Sequence, residues 1–217
     1  MPLIFKESVP GIARAGVWHC TEPEEVFRSK IVLNPADEEI LSGIRNTSRR
    51  LQWLGCRMVL FALSGNPEVR IRYDSFGKPG LLSSGSFISF THSGSHAAAI
   101  VSDKTNTGID LEKIREKIVR VADRFLSPDE LSLISGKDRL EKLTLFWCAK
   151  EALYKLYGRP ELDIKHDLCI ESFTYLCHGE GELTGSMKIR ERIFHIPVTW
   201  RKIGAYMLAW ALDKQIR

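Results

Sequence analysis

Gly108-Ile109-Asp110-Leu111-Glu112 and, further along, Phe146-Trp147-Cys148-Ala149-Lys150-Glu151-Ala152-Leu153-Tyr154-Lys155 are the two stretches on which the reading turns. In the first, charged and apolar residues alternate, the period of a strand, so Asp110 and Glu112 share one face. Two neighbouring carboxylates repel each other unless a cation or a shared proton compensates, and an oxygen-only set suits a hard ion. By itself the pentapeptide also fits a solvated edge strand carrying two surface acids. In the second stretch Trp147, Glu151 and Lys155 recur every four residues and align on one helical face. An exposed Glu–Lys pair would explain that spacing. The helix, however, is apolar on several sides (Leu143, Leu145, Phe146, Leu153, Leu156), and a buried carboxylate with a buried amine needs close pairing or a task such as proton transfer.

Working outward, the spacing predicts a helix over 139–157, ended by Gly158 with Pro160 beyond it. Ser127 caps a helix opened by Pro128, and an amphipathic region from Ile114 to Phe125 precedes it. Strands are predicted over 168–176, 187–189, 194–200 and 206–212. In the first half, Gly16 to Cys20 reads as a strand and Asn34-Pro35 as a helix start. Thr47 to Leu63 reads as a helix with Leu51, Leu54, Met58 and Phe61 as its buried stripe. Val69 to Tyr73 alternates like a strand, a turn-rich loop follows over 74–80, and Phe87 to Phe90 leads as a strand into a turn at Thr91-His92-Ser93. Buried strands follow at 97–102 and 107–112. Strands and helices in both halves define an α+β chain, with two similar subdomains over 1–106 and 107–217.

The 217 residues carry 31 Lys and Arg against 27 Asp and Glu, a net +4, with 44% hydrophobic residues. That composition excludes a disordered or collagen-like chain. The charge is too small to imply nucleic acid without a concentrated basic stripe. No uncharged apolar stretch approaches the ~18 residues of a membrane span, and the N-terminus breaks off at Lys6 and Glu7 like no secretory signal. Five cysteines without a C-x-x-C pair argue for a reducing cytoplasm over a disulfide framework. His166, Cys169, Cys177 and His178 lie close together, but their spacing matches no closed zinc pattern, and core cysteines with satisfied histidines are expected.

The two stretches resemble the signature of the 4′-phosphopantetheinyl transferases of the longer, surfactin-synthetase-activating type: G-I-D-x-E on a strand, then W-x-x-K-E-x-x-x-K on a helix. Phe76-Gly77-Lys78-Pro79 is similar to that family's G-K-P loop, and Phe90-Thr91-His92-Ser93 to its S-H-S turn, with Thr91 where serine is usual. Arg124-Phe125-Leu126-Ser127-Pro128-Asp129-Glu130 is similar to R-F-F-S-x-x-E. The ordered motifs cover about residues 76 to 155.

The resemblance implies a pseudo-twofold pair of α+β subdomains with the active site in the cleft between them, in a monomer. It implies transfer of 4′-phosphopantetheine from coenzyme A, as co-substrate, to a serine of an acidic acyl or peptidyl carrier protein, releasing 3′,5′-ADP. Asp110, Glu112 and Glu151 would hold Mg²⁺, with Mn²⁺ as the alternative. Glu151 would serve as base, directly or through water, and Lys155 would pair with phosphate and protonate the leaving group. Lys78, Pro79, Thr91 and His92 would contact coenzyme A beside Asp110 and Lys155, while the place of Lys150 stays open. Arg50, in a basic first turn that opposes the helix dipole, is expected at the 3′-phosphate. The segment Lys113, Arg115, Lys117, Arg120 and Arg124, mixed with apolar residues, would meet the acidic carrier; no nucleic-acid or membrane partner is expected. A noncatalytic carrier-binding or anion-binding module is the alternative, disfavoured by the intact set Asp110, Glu112, Glu151 and Lys155.

Overall fold

A computed structural model describes residues 3–82, 85–175 and 179–213. The chain divides into two compact units, with the boundary between Thr105 and Asn106.

The first unit is a six-stranded antiparallel sheet with helices packed on it. Its elements are β1 (Leu3–Val9), β2 (Ala13–His19), α1 (Glu24–Arg28), α2 (Pro35–Gly43), α3 (Thr47–Ser64), β3 (Ile71–Tyr73), β4 (Pro79–Leu81), β5 (Phe87–Ser93) and β6 (His96–Ser102). The strand order is β1-β2-β6-β5-β4-β3. The Asn34 side chain accepts from the Asp37 N–H at the start of α2, where Pro35 stands, and Asn46 does the same for Arg49 in α3. Each satisfies a donor that a helix start leaves open. α3 buries Leu54, Val59 and Leu60 completely, in one cluster with Trp18, Ile88, Ala97 and Ala99, each large side chain contributing about 1.5–3 kcal/mol.

The second unit repeats the plan with different connections. It holds β7 (Thr107–Lys113), a 3₁₀ segment (Glu116–Arg124), α4 (Pro128–Ser132), α5 (Arg139–Tyr157), β8 (Leu168–Ile170), β9 (Glu180–Ile189), β10 (Arg192–Ile203) and β11 (Tyr206–Leu212). Its sheet runs β7-β11-β10-β9-β8, and α5 lies on it. α3 and α5 both end on a left-handed glycine, Gly65 at φ 73° and Gly158 at φ 71°.

The α+β class read from the sequence is what the structure has, and the differences lie in local elements. β1 was not expected, because its half-buried positions alternate Leu3, Phe5, Glu7 and Val9, and the acid interrupts the apolar period. Thr91 and His92 lie on β5, whose pairing with β6 continues to Ser93; the turn comes later, at Gly94 with φ 56°. β9 starts at Glu180 instead of 187, since Gly181 and Gly185 dilute its pattern. At Gly185 a Cβ would stand 2.4 Å from Leu153 Cδ1 of α5, so the leucine would have to shift to admit a side chain. The strand expected over 168–176 stops at Ile170, and Leu176 lies outside the described residues. No helix among the described residues is long and apolar enough to cross a membrane.

Candidate active site on the second unit

Gly108 is the reason the two motifs meet. A Cβ there would lie 1.9 Å from the Ala152 carbonyl oxygen and 2.5 Å from the Leu156 nitrogen, both backbone atoms of α5. Only glycine lets the strand approach the helix that closely. β7 alternates from that point. Asp110 and Glu112 pair across from Ala209 and Met207 of β11, and both of those residues belong to the core under α5. Asp110 and the half-buried Glu112 thus share the face that meets the helix, while Ile109 and Leu111 occupy the opposite face and are fully buried.

On that face Lys155 Nζ lies 2.6 Å from Asp110 Oδ1 and 3.3 Å from the Ile109 carbonyl. Asp110 is 3% exposed. Burial works against the Lys155 charge, but the Asp110 carboxylate, its hydrogen bond and the neighbouring Glu151 outweigh it, holding the ammonium above the ordinary lysine value. Glu151, one turn before Lys155, has the opposite fate. Burial first, then the charges of Asp110 and Glu112, push its carboxyl up to about 7, against the pull of Lys155. A carboxyl poised near neutrality can give or take a proton in the physiological range. Beneath them Cys148 is fully buried, its thiol donating to the Met207 carbonyl over 3.4 Å. Burial and the Asp110 charge raise it well above the usual thiol value, so it stays protonated.

Beside Glu112 opens a groove of about 270 Å³, lined by Lys113, Arg115, Lys117, Ile118, Val121 and Trp147, with Thr144 at its base. The segment that borders it is a 3₁₀ helix, with Ile118, Val119 and Val121 against the core and Lys117, Arg120 and Arg124 exposed. Among the described residues no three His, Cys, Asp or Glu side chains converge closely enough to hold a metal. Asp110, Glu112 and Glu151 share one electrostatic field without closing a cage. Of the histidine–cysteine cluster, His166 Nδ1 sits 3.0 Å from Asp163 Oδ1 and Cys169 is exposed. Cys177 and His178 lie outside the described residues.

The other residues expected at coenzyme A, besides Asp110 and Lys155, belong to the first unit. Lys78 ends a turn in which its N–H and that of Phe76 donate to Asp74 Oδ1, each at 2.9 Å. Pro79 opens β4, paired with Tyr73. Thr91 is buried and His92 half-buried on β5. Arg50 is a correction. It forms a two-pronged pair with Glu24 at 2.7 and 2.6 Å and donates to the carbonyls of Leu41 and Ile44. Four of its hydrogen-bonding positions are taken by the protein, so it clamps α1 and the end of α2 to α3, and the 3′-phosphate assignment is withdrawn. The basic first turn that suggested it is offset by the Glu24 carboxylate, a long-range partner invisible to spacing.

Lys150, whose place the sequence leaves open, has its donors taken by the protein. Lys150 Nζ, fully buried, donates to Glu130 Oε2, the Phe125 carbonyl and the Ile164 carbonyl at 2.7, 2.7 and 3.2 Å. Burial lowers its proton affinity while Glu130 raises it, with a net lowering. The signal was present in the sequence as Ser127-x-x-Glu130, a capping box. That box forms here, and its glutamate also reaches Lys150.

The profile of the 4′-phosphopantetheinyl transferase superfamily matches residues 106–200. The strand and helix that hold this site lie within that matched segment. Among curated proteins, the chain is 30% identical over 145 residues to 4′-phosphopantetheinyl transferase psf-1 of Bacillus pumilus, covering 65% of this chain and 55% of that one. It is 29% identical over 122 residues to 4′-phosphopantetheinyl transferase Sfp of Bacillus subtilis (strain 168), covering 54% and 51%. The chain spans about half the length of the curated relatives it matches.

Proposed function

We propose that the protein transfers 4′-phosphopantetheine from coenzyme A to a serine of an acyl or peptidyl carrier protein, releasing 3′,5′-ADP. The observation that carries this reading is the Glu151 carboxyl pushed up to about 7 beside the 2.6 Å Lys155–Asp110 pair, on the superfamily's own strand and helix. The serine oxygen would form a bond to the β-phosphorus as the bond from that phosphorus to the bridging oxygen breaks. Glu151 takes the serine proton. Lys155, held protonated by Asp110, faces the charge that accumulates on the departing phosphate and can return a proton to it.

The donor chemistry fits a divalent cation. Asp110, Glu112 and Glu151 offer only carboxylate oxygens, and the first two raise the proton affinity of the third, a repulsion that a cation relieves. Mg²⁺ needs only one or two carboxylates when substrate phosphate and water complete its shell, so the absence of a closed cage is compatible with it. When bound, such an ion supplies charge neutralisation at the pyrophosphate. Lys78, Thr91 and His92 remain the proposed coenzyme A contacts, with Pro79 shaping the loop. The exposed Lys113, Arg115, Lys117, Arg120 and Arg124 favour an acidic carrier. A reducing, cytoplasmic setting and a monomeric state belong to the same reading. Intact-mass measurement of an apo carrier after incubation with the protein, coenzyme A and Mg²⁺ tests the proposal: one phosphopantetheine is added, and no addition to any of several acidic carriers by the folded protein refutes it.

A further inference from the structure

The Lys150–Glu130 pair joins five pieces of the second unit. Lys150 belongs to α5 and reaches the carbonyl of Phe125, which closes the 3₁₀ segment, and that of Ile164 in the loop before β8. Glu130 belongs to α4. Its Oε2 also accepts the Ser127 N–H and its Oε1 the Ile170 N–H of β8, both at 2.9 Å. The side chains are 0% and 1% exposed. A buried ion pair is a poor source of net stability, and apolar replacements of like volume commonly serve as well. What this pair supplies instead is geometry. Phe125 is held to the motif helix twice, by its carbonyl on Lys150 and by its ring, edge-on to Trp147 at 4.9 Å and 66°. Both anchors lie within one turn of Glu151, and Trp147 also lines the groove that the basic segment borders.

We infer that the Lys150–Glu130 pair is a positioning device: it fixes the basic segment 113–125 against the helix that carries Glu151, and so sets where an acidic protein partner presents its hydroxyl. What the groove receives rests on the transferase reading; the anchoring does not. Lys150 and Glu130 touch no substrate in this scheme. They act through Phe125, and their loss displaces the partner without emptying the coenzyme A site.

The test uses the full-length protein with Lys150→Met, which leaves Glu130 uncompensated, and the neutral double variant Lys150→Met/Glu130→Gln. Amide exchange over 114–126 should quicken by about tenfold or more in both, with β9, β10 and β11 unchanged. With an apo acyl carrier protein as acceptor, its KM should rise by about tenfold while the KM for coenzyme A stays put. A purely structural pair would instead lower the folded fraction and leave both KM values unmoved. Unchanged exchange over 114–126, equal movement of both KM values, or global unfolding of the neutral double variant overturns the inference. If the unmodified protein loads no carrier, the transferase reading fails, and the exchange measurement alone decides the anchoring.

Discussion

Replacing Gly108 by alanine puts a methyl carbon 1.9 Å from the Ala152 carbonyl oxygen and 2.5 Å from the Leu156 nitrogen. Ordinary contact begins at 3.4 Å, so the carbonyl must retreat by about 1.5 Å. Both obstructing atoms are helix backbone, so no rotamer change relieves the clash, and α5 must move relative to β7. Overpacking of this kind costs about 1–3 kcal/mol. The same displacement pulls Lys155 from its 2.6 Å contact with Asp110 and Glu151 from the carboxylates that tune it. Misplacement by about 1 Å at a reacting centre costs on the order of a hundredfold in rate. Urea unfolding should therefore show a loss of about 1–3 kcal/mol, and carrier loading at saturating coenzyme A should fall on the order of a hundredfold. Stability and turnover both equal to the unmodified protein would refute the argument that Gly108 sets the distance between the two motifs.

Arg50→Ala should destabilise the first unit by about 1.5–3 kcal/mol, the range for hydrogen bonds to charged groups, while calorimetry finds coenzyme A affinity unchanged; a selective loss of affinity would restore a phosphate role. Hydrogen bonding from Arg50 holds the Glu24 carboxyl below its ordinary 4.5. The stabilisation from this pair is thus present above pH 4.5 and is lost as pH falls through the lowered folded value, so urea midpoints should drop more steeply in acid for the native protein than for Arg50→Ala. Burial, with the charge of Cys56, pushes the Cys20 thiol up to about 12, and Cys56 and Cys148 are buried. Mass mapping after alkylation of the folded protein at neutral pH should leave all three unmodified, and Cys169 should react faster as pH rises, since burial and Glu130 raise its thiol value too.

Much of this site is legible in the sequence because it is written in local periods. The alternation of 108–112 and the four-residue spacing of Trp147, Glu151 and Lys155 are backbone repeats, and the structure keeps them. The helix stops at Gly65 and Gly158 and the caps Asn34 and Ser127 are local chemistry as well. What escaped was long-range. Glu24 lies 26 residues before Arg50, and nothing in the basic turn announces that its charge is already matched. Lys150 is 20 residues from Glu130, and its position on the helix left its place open. Gly181 and Gly185 made a ten-residue strand look like a loop, because their smallness serves Trp200 and Leu153 packed against them, a demand placed by other elements.

The central claim is that this strand–helix site activates a carrier serine against coenzyme A. Its most direct test is the intact mass of an apo carrier protein incubated with the protein, coenzyme A and Mg²⁺, beside the same reaction with Glu151→Gln or with a chelator. The account predicts the mass of one phosphopantetheine added by the native protein, and none in either control. An unmodified carrier with the native protein folded, or undiminished loading by Glu151→Gln, would contradict it.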